Sequence, residues 1–148
     1  MNSFKFTLLT IVFMITTISS FSQDLSCFCT PKLETKKDFK DDWQGSDYVL
    51  EIKIKDRELG SISDGNYLIF IAEVISVYKR NQITKRKPIK IKSPKNLLGE
   101  CFTDFEVEEV YIFYGHKRNG HFAEKPCSRT KLKTSSTFEL EQINKLKE

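Results

Sequence analysis

Four cysteines constrain this chain more than any other feature. Cys27 and Cys29 stand one residue apart in "SCFCT", while Cys101 and Cys127 lie far downstream. A one-residue gap strains disulfide geometry, so Cys27 and Cys29 are not expected to pair with each other. Each is instead expected to reach Cys101 or Cys127, closing loops of roughly 70 to 100 residues, and spacing alone leaves both pairings open. A chain stapled in this way must bring its beginning against its last third.

The alternatives for Cys-x-Cys are weaker. Structural zinc prefers two to four residues between paired cysteines, and Cys101 and Cys127 form no second close pair. A redox pair wants Cys-x-x-Cys, and Asp24 stands where a lipid-anchor motif needs an aliphatic residue. No bound metal or cofactor is therefore expected.

The residues ahead of the cysteines suit a disulfide chemistry. Lys5 precedes an apolar run from Phe6 to Ile18, followed by Ser20 and Ser22 at the small-residue positions of a cleavage site. This reads as an export signal over residues 1–22, with Gln23 the first residue of one domain over residues 23–148. The run is too short for a membrane-spanning helix, so no membrane span is expected. Secretion or periplasmic retention follows.

Along the rest of the chain the pattern is mostly β. In "KLETKKDFKDDWQG" (Lys32–Gly45) a short helix ending near Gly45, with Phe39 and Trp43 four apart on one face, is expected, an irregular connection being the alternative. "SDYVLEIKIKD" (Ser46–Asp56) alternates, with Leu50, Ile52 and Ile54 inward and a solvated opposite face. "YLIFIAEVISVYKR" (Tyr67–Arg80) is a long strand, strongly bent, expected to be buried on both faces at its start and on one later. "KPIKIKSPK", Lys-rich and bounded by Pro88 and Pro94, reads as a protected sheet edge. Val110 to Tyr114 lead into a hairpin turned by Asn119-Gly120. Ser136 with Glu139 three residues on predicts a capping box opening a C-terminal helix. Five short or bent strands and a closing helix suit a small, closed all-β Greek-key barrel.

Few residues carry chemistry. His116 and His121 flank the hairpin turn and read as solvated polar residues. The acidic run Asp104–Val110 lacks the spaced ligands and central glycine of a calcium loop, and reads as a strand or turn with outward carboxylates. No nucleophile–base arrangement is legible, so the chain is not expected to be an enzyme. The net charge of +4 is mild for a nucleic-acid binder, and none is expected. It is concentrated, however. Between Lys79 and Lys95 lie eight Lys or Arg and no acid, which nominates Lys79, Arg80, Lys85, Arg86, Lys87, Lys90 and Lys92 for a polyanion such as an anionic glycan.

In order and spacing the motifs resemble the netrin-like modules, and among them the N-terminal domains of the tissue inhibitors of metalloproteinases. "CFC" (Cys27–Cys29) resembles the Cys-x-Cys opening and "SDYVLEIKIK" (Ser46–Lys55) the first barrel strand. "GECFTDFEVEEVYIFYG" (Gly99–Gly115) and "NGHFAEKPCS" (Asn119–Ser128) resemble the later strand and the hairpin return to a cysteine. Together they cover most of residues 27 to 135. The resemblance implies a five-stranded OB-fold barrel and the pairings Cys27–Cys101 and Cys29–Cys127. It also implies a wedge of Cys27, Phe28, Cys29, Thr30 and Pro31 against a secreted metalloprotease. There the α-amino group of Cys27 would chelate the protease zinc and Phe28 would enter its specificity pocket. Cleavage after Ser22 leaves Gln23 to Ser26 ahead of Cys27 and makes that nitrogen an amide; cleavage after Ser26 would free it. Two functions are therefore carried forward: metalloprotease inhibition through the wedge, and a general protein- or polyanion-binding module of the envelope or extracellular space.

Overall fold

The computed structural model describes residues 29–30, 32–60, 67–79, 83–95, 98–99 and 101–146. The expected export signal, the Gly60–Asn66 link beyond Gly60, and Cys27, Phe28, Pro31 and Arg80 lie outside them. In chain order the elements are helix α1 (Lys36–Gly45), strands β1 (Tyr48–Leu59), β2 (Tyr67–Lys79), β3 (Pro88–Pro94), β4 (Val110–Arg118), β5 (His121–Glu124) and β6 (Lys131–Leu132), a 3₁₀ turn (Lys133–Ser135) and helix α2 (Thr137–Lys145).

The strands form one sheet in the order β1-β2-β3-β5-β4-β6, and β1 also pairs with β4. Five strands thus close into a ring, and the two-residue β6 extends it beyond β4. That sixth strand was not expected. β3, read as a sheet edge, is not one: it pairs with β2 along its length and meets β5 in parallel at Ile91 and Phe122. Closure removes the edge that its lysines and prolines were thought to protect. β1 and β2 slip register at three points between Val49 and Asp56, the irregularity by which long strands bend around a ring.

Alternation along the strands separates two cores. Leu50, Ile52, Ile54, Leu68, Phe70, Val74, Ile91 and Phe113 fill the ring interior, with Phe105 stacked edge-on against Phe70 and Tyr111. The residues between them on β1 and β4, Val49, Ile112 and Tyr114, point outward and are fully buried beneath Phe39 of α1 and Ile143 of α2. The first half of β1 is therefore covered on both faces, contrary to the expected solvated side. β2 reverses its expectation too: it alternates cleanly at its start, and from Ser76 to Lys79 both faces are half-buried.

Local chemistry sets the element ends. The Thr35 side chain accepts from the Asp38 backbone N–H at 3.1 Å and caps α1. At the other end Lys79 donates to the carbonyls of Trp43 and Ser46, and Lys125 to that of Gly45. Two lysines distant in the chain, Lys79 at the end of β2 and Lys125 just after β5, thus neutralise the negative end of the helix. Asn119 and Gly120 turn the β4–β5 hairpin at φ 48° and 81°, and the register pairs Arg118 with His121 as expected. Gly115 is required by close approach: a Cβ there would lie 2.6 Å from the Ala123 carbonyl oxygen and within the Phe113 ring. The expected capping box of α2 does not form. Ser136 donates to the Leu132 carbonyl at 2.7 Å, and Glu139 turns inward to Arg129. No helix among the described residues is long and apolar enough to cross a membrane.

Candidate functional site at the stapled N-terminal segment

The described end of the expected wedge is locked to the far end of the hairpin. Cys29 and Cys127 form a disulfide across 98 residues of chain. Cys101 is buried beside it, its sulfur within 4.8 Å of both bridge sulfurs. Three sulfurs so close would suit a soft metal if all were thiolates, but a disulfide offers none. No described cysteine is a free thiol, and Cys27, the expected partner of Cys101, lies outside the described residues. The backbone adds a direct link, since the Cys127 N–H donates to the Cys101 carbonyl at 2.7 Å. Cys127 reaches this position with φ at 56°, a left-handed conformation uncommon for a side-chain-bearing residue.

Side-chain ties centred on Arg129 and Asp42 hold the segment that follows. Arg129, almost fully buried, donates through both terminal nitrogens to the Leu33 carbonyl, at 3.1 and 3.0 Å. Its Nε donates to Glu139 Oε1 at 3.1 Å, and Asp42 of α1 lies 3.7 Å away. Lys131 forms an ion pair with the other Glu139 oxygen at 2.8 Å, angled poorly for a hydrogen bond. Lys32 pairs with Asp42 at 2.9 Å. One buried guanidinium therefore joins the N-terminal segment, α1 and α2.

Between the staple and this clamp opens a polar cleft of about 410 Å³, lined on one side by Cys29 and Thr30 and on the other by Cys101, Phe102 and Thr103. At its base sits Glu124, only 4 % exposed. Its carboxyl accepts from the Thr103 N–H (2.9 Å), the Thr103 hydroxyl (2.8 Å) and the Ser128 hydroxyl (2.5 Å). Burial raises its pKa, and those donors partly oppose the rise. The arrangement fixes the Thr103 loop against the strand end that carries Cys127.

The sequence signals for the staple were strong, and two of its four cysteines are joined as the resemblance implied. Arg129, Glu124, Thr103 and Glu139 went unremarked, because each matters through partners distant in the chain. Only the Ser128–Arg129 stretch after Cys127 gave a hint, a polar pair directly following a staple.

Among the described residues, the expected polyanion candidates fall into separate settings. Lys79 is held at the end of α1 and lies 5.8 Å over the Trp43 ring. Lys90 approaches Glu58 at 3.8 Å, and Lys92 lies 4.2 Å over the Tyr67 ring. Lys90 pairs with Ile71 of β2, eight residues from Lys79, a span of up to about 26 Å at ~3.3 Å per residue. Lys85, Arg86 and Lys87 are exposed on the β2–β3 turn, which the Arg86 N–H ties to the Val74 carbonyl. Elsewhere, His121 Nδ1 is 3.1 Å from the Asn119 carbonyl, while His116 Nδ1 is buried without a partner, and burial lowers the His116 pKa. In the acidic run, Glu108 takes a positive φ and pairs with Lys53 at 2.6 Å, so that run is a turn.

No protein-family model matches the chain, and no curated protein matches it.

Proposed function

We propose that the chain is an exported, non-catalytic binding protein of the netrin-like kind, its five-strand ring an OB-type barrel and Cys27–Cys101 its second staple. It engages a secreted metalloprotease through a ridge that we take to be formed by the segment Cys27 to Pro31, of which Cys29 and Thr30 are described, together with the loop from Cys101 to Asp104. The observation that carries this reading is the rigid mounting of Cys29 and Thr30. The Cys29–Cys127 bridge, the Cys127–Cys101 backbone bond and the Arg129–Leu33 clamp hold that segment beside the Thr103 loop. A pre-ordered edge of this kind binds with little loss of conformational entropy.

N-terminal sequencing of the exported protein, paired with inhibition assays against a panel of zinc endopeptidases, tests the proposal. With Cys27 first, inhibition is expected, and Phe28→Ala should weaken it by tenfold or more. Inhibition with Gln23 first would mean that the ridge blocks the protease without chelating its zinc. No inhibition by a natively folded, Cys27-first protein sinks the reading. The second reading, an anionic glycan on Lys85–Lys87 and the outward lysines of β3, rests on the exposure of that turn. It requires salt-sensitive retention on a heparin column.

A further inference from the structure

The groove between α1 and α2 has no part in the ridge. Phe39, Trp43 and Leu146 form its apolar floor, and it encloses about 530 Å³, within the ~300–1,000 Å³ typical of small-molecule sites. Leu146 is 57 % exposed, beside Gln142 and Lys145 of the same wall. Lys36, Lys40 and Lys145 stand on the rim and form no ion pair among the described residues, and Lys79 contributes a fourth cation from β2.

Charge is segregated around this groove. Lys36, Lys40 and Trp43 follow helical spacing along one face of α1. Two of the three acids of α1 are used elsewhere, Asp38 at the cap with Thr35 and Asp42 with Lys32 and Arg129, and the exposed Asp41 does not line the groove. Among the described residues no Asp or Glu lines the groove. An apolar trough whose charged lining groups, among the described residues, are all ammonium groups, with the amides of Gln44 and Gln142 beside them, complements an apolar body with an anionic head. It offers little to a peptide backbone, because both helices satisfy their own main chains and the carbonyls ending α1 are held by Lys79 and Lys125. We propose that this groove binds single-chain carboxylate amphiphiles of the fatty-acid class. The chain lies along Phe39, Trp43 and Leu146, and the carboxylate pairs with Lys36 and Lys40.

Trp43 is the chain's single tryptophan, so its fluorescence reads the groove directly. Octanoate, decanoate and dodecanoate, each below its micellar concentration, are titrated into purified protein alongside dodecyltrimethylammonium. The expected result is a saturable Trp43 signal that tightens about fourfold per added methylene. Dodecanoate should raise Tm, as a ligand of the native state must. Lys36→Glu/Lys40→Glu, surface changes that leave the circular dichroism intact, should weaken dodecanoate binding at least tenfold. Equal binding of the cationic amphiphile, a fall in Tm or an unaffected double variant overturns the proposal. So does capture of an acidic amphipathic peptide with no binding of dodecanoate.

Discussion

Glu124 shows how one carboxyl can organise a loop while remaining at odds with its burial. Three donors converge on it, and loss of solvent still leaves its pKa raised above the ordinary 4.5. An acid whose pKa is higher in the folded state binds its proton more tightly there. Its contribution is therefore fully present below pH ~4.5 and is lost as pH rises through the folded value. Urea unfolding of the protein and of Glu124→Gln at several pH values from 4.5 to 7.5 isolates this effect. The stability of the native protein relative to the variant should fall across that window. Parallel curves would show that Glu124 ionises as freely in the fold as in the unfolded chain. Nothing near Glu124 in the sequence announces this role, since "HFAEKPC" reads as an alternating strand with one more surface acid. Its donors Thr103 and Ser128 come from segments joined only by the fold.

Among the elements, the two helices are held less by their own propensities than by what lies between them and the sheet. Their apolar contact runs through Phe39 and Phe138, 6.4 Å apart edge to face, and both meet the outer face of β1 and β4. The polar contact is Arg129, whose guanidinium links Glu139 of α2, Asp42 of α1 and the Leu33 carbonyl. Removing one member of a buried ion pair typically costs about 3–5 kcal/mol, because the other charge stays buried. Arg129→Met should therefore destabilise the protein by ~3–5 kcal/mol in chemical denaturation, and adding Glu139→Leu should recover most of it. A single variant costing under ~1 kcal/mol would mean that Lys131 alone compensates Glu139. Elements defined by neighbouring residues were legible: the Asn119-Gly120 hairpin, the Phe39/Trp43 face and the β1 alternation. What depended on distant partners was not. Val49 and Glu51 look solvated in a one-faced strand, yet helices from both ends of the chain bury one and Tyr78 and Lys133 hold the other. Phe105, set among acids, enters the ring interior because the turn after it, with Glu108 at positive φ, bends the chain back. Glu139 matched a capping motif and was claimed by a guanidinium instead.

For the molecule as a whole, closure is the expensive step. The pairing of β1 with β4 joins Tyr48 to Gly115 across some 67 residues, and such long-range contacts must be made against the entropy of the loop they close. The staple restrains the same ends. Cys29 precedes β1 and Cys127 follows β5, so the bridge keeps the two sides of the closure near each other even in the unfolded chain. On the chain-entropy account a crosslink spanning 98 residues stabilises by about 4–5 kcal/mol. For a domain of this size that is a third or more of the ~5–15 kcal/mol typically available. Cys29→Ser/Cys127→Ser should thus unfold at much lower denaturant concentration, with a loss approaching ~4 kcal/mol. Limited proteolysis should then cut faster near residues 30–35, where the Arg129–Leu33 clamp, the Lys32–Asp42 and Lys131–Glu34 ion pairs and the proposed Cys27–Cys101 bridge are left to hold the segment. A loss below ~1 kcal/mol, with that segment still protected, would assign its rigidity to the Arg129 clamp. The bridge would then be dispensable for closing the ring, and any binding role of the ridge would have to survive its removal.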